Sequence, residues 1–439
     1  MKILLIYAKS SLEISDHTQA PLGICYLASY IRQKSKHIVE LLDDTIESKT
    51  LDKVVKEFKP ELIGISFSAL SAKRAYNIAK KFKGRAIFVA GGPYATFCPE
   101  EVLNKGFDFV VYGEGEKTFL QLVNKLEDKK SLKNQKGIVY KKGGKIIKNI
   151  PQPLIKNLDS LPTPARDLLK KNKYMQGAIM TSRGCPFNCL FCNSRKFWQQ
   201  TYRSMSVSKI YKELEELVNK YKYKHIFFND DTFTINQNKV IGLCKLIIKK
   251  NLKFTWAALS RADTLSEERI SWMKKAGCNL IFIGVESGSE KILKTINKNI
   301  SLEQIKYAVQ LCKKHNITCR TSFILGLPGD YSEQLKSLDL MEEITPDSIN
   351  IHLLAIFPGS EIYENMGKYG ITFKKLKNWQ DYCAYYSLKL FKIINFNYLS
   401  KKQAITLCKI FIKRLKKIGY THRGMDSYKK GRTIKTFLD

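Results

Sequence analysis

The chain has 439 residues, 44% of them hydrophobic, so it is too long for one ordinary domain and apolar enough to bury substantial cores. Its net charge of +35 would suit a nucleic acid, an anionic membrane surface or an acidic substrate. The excess is lysine spread along predicted helices, however, and not arginine clustered with aromatic residues. Nucleic acid is therefore not the expected partner, and charge alone identifies no other.

The N-terminal apolar run, KILLIYA, has no small-residue cleavage site after it, and this favours a first β-strand over a signal peptide. No later apolar stretch is long enough to span a bilayer. The eleven cysteines are odd in number, and most are scattered singly, which is not the pattern of a disulfide framework. We therefore expect a cytoplasmic protein with reduced thiols.

Residues 1–130 alternate short apolar segments with amphipathic ones, among them ELIGISFS, AIFVAGGP and FDFVVYGEGE. This alternation predicts an α/β domain with a doubly wound, Rossmann-like parallel sheet of five strands. Ligands of such sheets bind at the carboxyl ends of the strands.

Three further regions follow along the chain. Residues 131–175 are rich in Lys, Gly and Pro and are predicted to form a linker. Residues 176–370 contain six strand-helix pairs, which predict a partial (β/α)6 TIM-like barrel with its site on the loops after the strands. Residues 371–439 include a basic amphipathic segment and predict a small helical C-terminal region, either docked on the barrel or free to contact an acidic partner.

A cysteine motif follows the first predicted barrel strand. Residues 181–192 read TSRGCPFNCLFC and place Cys185, Cys189 and Cys192 in a C-x3-C-x2-C arrangement. Iron-sulfur clusters are usually held by four thiolates, so three local thiolates would leave one iron open. The alternative is a structural zinc site, which requires four closed ligands, and no nearby Cys or His supplies the fourth.

This motif after a barrel strand resembles the cluster motif of the radical S-adenosylmethionine (SAM) superfamily. The resemblance implies a [4Fe-4S] cluster on the three cysteines, with SAM bound to the open iron through its amino and carboxylate groups. One electron from the cluster then cleaves SAM to methionine and a 5′-deoxyadenosyl radical. The resemblance also places Phe191 near the adenine of SAM, although this ring could simply pack the loop.

Later strand ends extend the resemblance. Asp230, followed by Asp231, ends the second barrel strand, where the pair is expected either on the cavity rim or as a cap for the helix beginning near 238. Arg261 follows the third strand and could meet a carboxylate or form a surface salt bridge.

Small and polar residues follow the fourth and fifth barrel strands. The segment GVESGS is expected to bind the amino-acid end of SAM through Gly284, Glu286 and Ser287. The segment GLPGD, which begins at Gly326, is expected to shape the SAM pocket through backbone contacts.

The first domain lacks the G-x-G-x-x-G and G-x4-G-K-[ST] patterns, which argues against nicotinamide cofactors and nucleoside triphosphates. Its loops, read together with the barrel, resemble the cobalamin-binding domain of B12-dependent radical SAM enzymes. The D-x-H-x-x-G signature that supplies a histidine to cobalt is absent, and Asp16-His17-Thr18 is only superficially similar. The positions that the resemblance places near cobalamin are Ser66, Ser68, Gly91, Gly92, Gly113, Glu114 and Gly115.

The sequence thus predicts a radical SAM enzyme that uses cobalamin to methylate an unactivated carbon of a small molecule or peptide. Alternatives are an oxidative cyclase or rearrangement enzyme with the same cofactors, a tRNA methylthiotransferase, and a non-catalytic redox or cobalamin carrier. The methylthiotransferase would need a second cysteine trio, but the first domain contains only Cys25 and Cys98. The expected partner is a one-electron reductant such as flavodoxin or ferredoxin.

Overall fold

The computed structural model describes residues 1–10, 19–47, 50–170, 173–373, 394–422 and 431–436. Asp16-His17-Thr18 and Cys383 lie outside the described residues. The chain divides into two compact units. Unit 1 comprises Met1–Ala178, Phe197–Gln199 and Arg203–Met205, and unit 2 comprises Ile179–Lys196, Gln200–Tyr202 and Ser206–Asp439.

The strands, in chain order, are β1 Lys2–Tyr7, β2 Ile38–Asp43, β3 Leu62–Ser66, β4 Ile87–Gly91, β5 Phe109–Val111, β6 Ile138–Lys142, β7 Lys145–Lys148, β8 Gly177–Ile179, β9 Ser182–Arg183, β10 Arg203–Ser204, β11 His225–Phe228, β12 Thr255–Ser260, β13 Cys278–Glu286, β14 Thr318–Leu325, β15 Ser348–Leu353, β16 Ile371–Phe373, β17 Ile394–Phe396, β18 Thr421–His422 and β19 Thr433–Thr436.

The α-helices are α1 Leu22–Lys34, α2 Asp44–Glu47, α3 Leu51–Phe58, α4 Ala72–Lys81, α5 Pro93–Phe97, α6 Pro99–Asn104, α7 Gly115–Glu127, α8 Ser194–Phe197, α9 Val207–Glu215, α10 Gln237–Lys249, α11 Glu267–Lys275, α12 Glu290–Thr295, α13 Leu302–Lys314, α14 Tyr331–Ile344, α15 Glu361–Glu364 and α16 Lys401–Lys417.

Unit 1 is built on a seven-stranded sheet in the order β2-β1-β3-β4-β5-β6-β7. The pairs from β2 to β5 are parallel, and β1, which pairs with both β2 and β3, has four consecutive buried apolar residues, Ile3 to Ile6. The doubly wound α/β prediction is confirmed. The carboxyl ends of the five parallel strands therefore lie at one edge of the sheet.

The segment 131–175, predicted to be a linker, contributes structure to this sheet. Strands β6 and β7 form an antiparallel hairpin, and β6 pairs antiparallel with β5. The turn between them is Gly143-Gly144, with both glycines at positive φ, and this conformation is easily adopted without a side chain. The run of Lys and Gly that suggests a linker is thus the exposed end of a hairpin whose buried residues are few.

Unit 2 is built on a sheet that contains, in order, β18-β19-β15-β14-β13-β12-β11. The pairs from β11 to β15 are parallel, and α10, predicted to begin near 238, begins at Gln237. Side chains of β14 alternate between buried and half-buried, as expected when one face packs on helices and the other lines an open barrel interior. The partial-barrel prediction is confirmed.

The C-terminal region contains the predicted amphipathic helix, α16, whose apolar face is buried. Ser400 and Gln403 form a capping box at its start, which satisfies backbone N–H groups of the first turn. The region also adds two short strands, β18 and β19, to the edge of the barrel sheet beside β15. The sequence did not predict these two strands, which have only two and four residues. Among the described residues, no helix is long and apolar enough to cross a membrane.

Trp256 on β12 belongs to the barrel core, and its replacement tests how much that packing stabilises the barrel. Its indole is fully buried, lies 5.0 Å from the Phe228 ring and donates to the Ala276 carbonyl at 2.9 Å. Trp256→Ala should lower the free energy of unfolding of the barrel by about 3–5 kcal/mol, because it removes this packing and leaves a cavity. Denaturant unfolding monitored by circular dichroism measures the change. Trp272→Ala, at a half-buried position, is the control, and an equal loss there would contradict the assignment.

Candidate active site

The three cysteines lie on a tight loop after β9. Gly184, just before Cys185, has φ +91°, and the Cys192 N–H donates to the Cys189 carbonyl at 3.1 Å. Leu190, between the second and third cysteines, donates to the Ile296 carbonyl and accepts from the Ile362 N–H, each at 3.0 Å. The loop is therefore anchored at its centre by two other segments of the barrel, and its cysteines are not in disulfides.

These cysteines open onto a cavity of about 330 Å³ in unit 2. Its walls come from the loop itself and from the ends of the following strands, and this arrangement follows from the parallel sheet. The sequence-predicted residues that line it are Cys185, Cys189, Phe191, Cys192, Asp231, Arg261, Gly284 and Glu286.

Each thiol has a polar neighbour. Cys185 Sγ lies 3.8 Å from Thr232 Oγ1, and Cys192 Sγ accepts from the Ser194 N–H at 3.4 Å. Cys189 Sγ meets a guanidinium NH1 of Arg261 at 3.7 Å. Hydrogen-bond donors around sulfur suit thiolates that carry an iron-sulfur cluster. The residues present therefore fit the implied group.

A structural zinc ion was the alternative to an iron-sulfur cluster on this loop. Within the described residues, no group of three or more His, Cys, Asp and Glu side chains is arranged to hold a metal ion. A structural zinc ion needs four closed ligands, whereas these three thiols line a cavity that leaves room for a cluster with one open iron.

Glu286 is brought into the cavity by an irregularity in β13. The register of β13 with β14 shifts between Gly284 and Glu286, and Glu286 adopts φ +71°, which is unusual for a residue with a side chain. A side chain at Gly284 would place its Cβ 2.4 Å from Glu286 Oε1, so glycine there leaves room for the carboxylate. Glu286 is 7% exposed and pairs with Lys298 Nζ at 3.0 Å.

Asp230 does not line the cavity. It is 1% exposed and accepts hydrogen bonds from the hydroxyl of Ser182 and from the N–H and hydroxyl of Thr181. Burial raises the pKa of Asp230 to about 6, because these hydrogen bonds only partly offset the lost hydration. The carboxylate thus braces the segment just before the cysteine loop. Its neighbour Asp231 lines the cavity, and Asn236, not this pair, caps α10.

Ser287 and Gly326 also lie away from the cavity walls. Ser287 is 1% exposed, and its hydroxyl accepts from the Ser289 N–H at 3.1 Å. Gly326 has φ +85° and donates to the Gln334 side chain at 3.2 Å. Both positions shape the loops that follow β13 and β14. Gly288 is similar, since a Cβ there would lie 2.3 Å from the Lys336 carbonyl.

Several cavity residues were not predicted from the sequence. Arg320, Ser322, Asn350 and His352 project into the cavity from alternating positions of β14 and β15, and Lys298 enters from the loop after α12. Polar residues at alternate positions of otherwise apolar strands are the signal that could have found the first four. Lys298 carries no such signal, because its role depends on the tertiary contact with Glu286.

The predicted cobalamin neighbours of unit 1 gather at the carboxyl edge of its sheet. Ser66 and Gly91 are register partners at the ends of β3 and β4. Gly92 has φ +92°, and a Cβ there would lie 2.8 Å from the Phe67 carbonyl, so glycine is required. Gly113 has φ +73° and donates to Thr96 Oγ1 at 3.1 Å, with open space where a side chain would be.

Glu114 is engaged within unit 1. Its carboxylate accepts from the Ile155 N–H at 2.8 Å and from Arg203 at 2.9 and 3.0 Å, and the residue is 8% exposed. Ser68 takes part in a capping box with Ser71, and Gly115 begins α7. These three residues therefore organise the loops of this edge.

Comparisons with known proteins agree with both units. Residues 179–341 match the model of the radical SAM superfamily, and residues 15–123 match that of the B12 binding domain. An uncharacterized methyltransferase of Pyrococcus horikoshii is 36% identical over 401 residues, covering 87% of this chain and 86% of the relative. The anaerobic magnesium-protoporphyrin IX monomethyl ester cyclase of Rubrivivax gelatinosus is 30% identical over 392 residues, covering 84% of this chain and 70% of the relative.

Among solved structures, the fold matches a radical S-adenosylmethionine methyltransferase of Kitasatospora setae with cobalamin and a [4Fe-4S] cluster bound. The TM-score is 0.74 at 15% identity, and the match covers 86% of this chain and 78% of that chain. The order of the two matched domains and the extent of the similarity to full-length relatives lead to one conclusion. The chain belongs to the family of B12-binding radical SAM enzymes.

Proposed function

We propose that this chain is a cobalamin-dependent radical SAM methyltransferase that acts on an unactivated carbon of a small molecule or peptide. The observation that carries the proposal is the cavity of unit 2, which combines three thiols on one loop with a buried acid at the end of β13. The proposal is supported by the uncharacterized methyltransferase of Pyrococcus horikoshii, which is 36% identical to this chain. The match covers 86% of that relative.

In this proposal Cys185, Cys189 and Cys192 hold the cluster, which when bound supplies the electron that cleaves SAM. Glu286 accepts hydrogen bonds from the amino group of SAM, and Lys298 holds the carboxylate of Glu286 in place at 3.0 Å. Phe191, half-buried on the cavity wall, packs against the adenine.

Cobalamin, which carries the methyl group in such enzymes, would be held by residues 1–130 at the carboxyl edge of the unit 1 sheet. The support is the open space around Gly91 and Gly113, where the nearest neighbour of a Cβ at Gly91 is the Val111 carbonyl at 3.9 Å. Backbone there can approach a large flat ligand closely. Glu114 would act indirectly, because its carboxylate accepts hydrogen bonds from the Arg203 side chain and from the Ile155 N–H.

A second candidate is an oxidative cyclase with the same cofactors, because a 30% identical relative is a cyclase. The methyltransferase would transfer an isotope-labelled methyl group from SAM to its product, whereas the cyclase would not. A radical SAM enzyme needs a one-electron reductant, and we propose flavodoxin or ferredoxin in the cytoplasm, where the thiols stay reduced.

Alanine at Cys185, Cys189 and Cys192 together should abolish cluster assembly. The wild-type protein, reconstituted anaerobically, should hold about four iron atoms per chain, and the triple variant almost none. Iron and sulfide analysis measures both. Cys98→Ala, at a half-buried cysteine of unit 1, should keep its iron. Full iron content in the triple variant would refute the cluster site.

Glu286→Gln should weaken SAM binding at least tenfold, because a hydrogen bond to a charged group contributes about 1.5–3 kcal/mol. Iron content should not change. Calorimetric titration of the cluster-loaded protein with SAM measures the affinity, and Glu290→Gln, exposed on α12, is the matched control. If both variants bind SAM as the wild type does, Glu286 is only a structural residue.

Gly91→Trp should abolish cobalamin retention, because the indole would occupy the open strand edge. Gly91 is not at positive φ, so a side chain there causes no backbone strain. Protein refolded with hydroxocobalamin and desalted should show corrin absorbance in the wild type and none in the variant, with iron content unchanged. Lys36→Trp adds the same bulk at an exposed position before β2 and should retain the corrin. Retention by Gly91→Trp would place cobalamin elsewhere.

A further inference from the structure

Arg261 occupies an unusual position between the cysteine loop and the Glu286 site. Its side chain is 5% exposed although it lines the cavity. The guanidinium carbon lies 3.6 Å from the centroid of the Phe187 ring, which belongs to the cysteine loop itself. A charge buried to this extent must be paired to be tolerated.

The pairing also orients the guanidinium. Asp263 accepts from Nε and from NH2, each at 3.0 Å, and the Lys298 carbonyl accepts from NH2 at 2.7 Å. These contacts and the Phe187 ring fix the plane of the group. The remaining nitrogen, NH1, is left directed at Cys189 Sγ, 3.7 Å away.

The other two thiols have neutral neighbours. Cys185 faces the Thr232 hydroxyl, and Cys192 accepts from the Ser194 backbone N–H. Cys189 is thus distinguished by a donor that is cationic, and a hydrogen bond between a cation and a thiolate is stronger than a neutral one.

We propose that Arg261 raises the reduction potential of the iron-sulfur cluster by donating from its fixed NH1 to the Cys189 thiolate. The inference rests on the proposed function, because it takes Cys189 as a cluster ligand. Reduction adds one electron, supplied by the external one-electron donor, so the reduced cluster carries one more negative charge. Donors and positive charge at the ligand sulfurs stabilise the reduced state, which makes reduction easier.

Arg261 also borders the proposed SAM site through Lys298. The Lys298 carbonyl accepts from Arg261, and the Lys298 ammonium pairs with Glu286. A loss of SAM cleavage in a variant would therefore not separate the two roles. The potential of the cluster without SAM does, because it does not involve the SAM contacts.

The experiment is a redox titration of the full-length reconstituted protein, monitored by electron paramagnetic resonance in the absence of SAM. Arg261→Gln should shift the midpoint potential to a more negative value at unchanged iron content. Arg261→Lys, which keeps the charge but loses the planar fork, should shift it less. If Arg261→Gln does not assemble a cluster, Arg261→Met, which also removes the cationic donor, decides. A potential equal to that of the wild type in either uncharged variant overturns the proposal.

Thr232→Val is the matched control, because it removes the neutral neighbour of Cys185 at almost constant volume. It should shift the potential less than Arg261→Gln does. An equal shift would show that the cationic donor is not special, and this would overturn the inference. An unchanged potential with weaker SAM binding in Arg261→Gln would assign the residue to the SAM carboxylate instead. Absence of any cluster in the wild type would refute the proposed function itself.

Discussion

The parallel direction of the strands is the constraint on which both sites depend. In a parallel sheet every carboxyl end lies at the same edge, so loops far apart in sequence converge there. In unit 2 this brings the cysteine loop after β9 together with Arg261 after β12 and Glu286 at the end of β13. In unit 1 it brings Ser66 beside Gly91. No single segment supplies all the residues of the unit 2 cavity or of the unit 1 sheet edge.

Several charged side chains of the cavity of unit 2 are held by partners. Glu286 pairs with Lys298, Arg261 pairs with Asp263, and Asp231 accepts from the Ser194 hydroxyl. Burying such groups is costly unless each has a partner, and partnered groups lose their freedom to reorient. The side chains are therefore held in position before any ligand arrives, which is the arrangement that favours catalysis by fixed charges.

Some acidic residues that follow strands hold neighbouring segments in place and do not line the cavity of unit 2. Asp230 braces the segment before the cysteine loop through Thr181 and Ser182, and Glu114 holds Arg203 within unit 1. In a sequence such acids cannot be distinguished from ligand-binding ones, because both follow an apolar strand. Only burial and hydrogen-bond partners tell them apart.

The amino-acid sequence by itself determined the fold class, the two sheets, the start of α10 and the cysteine loop, because all of these depend on local periodicity and spacing. It did not reveal the β6–β7 hairpin, which lies in a segment rich in Lys and Gly, or the short strands β18 and β19 at the sheet edge. The position of Lys298 beside Glu286, the bulge in β13 and the direction of the Arg261 guanidinium were decided by the tertiary structure. Each of them depends on contacts between segments distant in the chain, and no local pattern encodes such contacts.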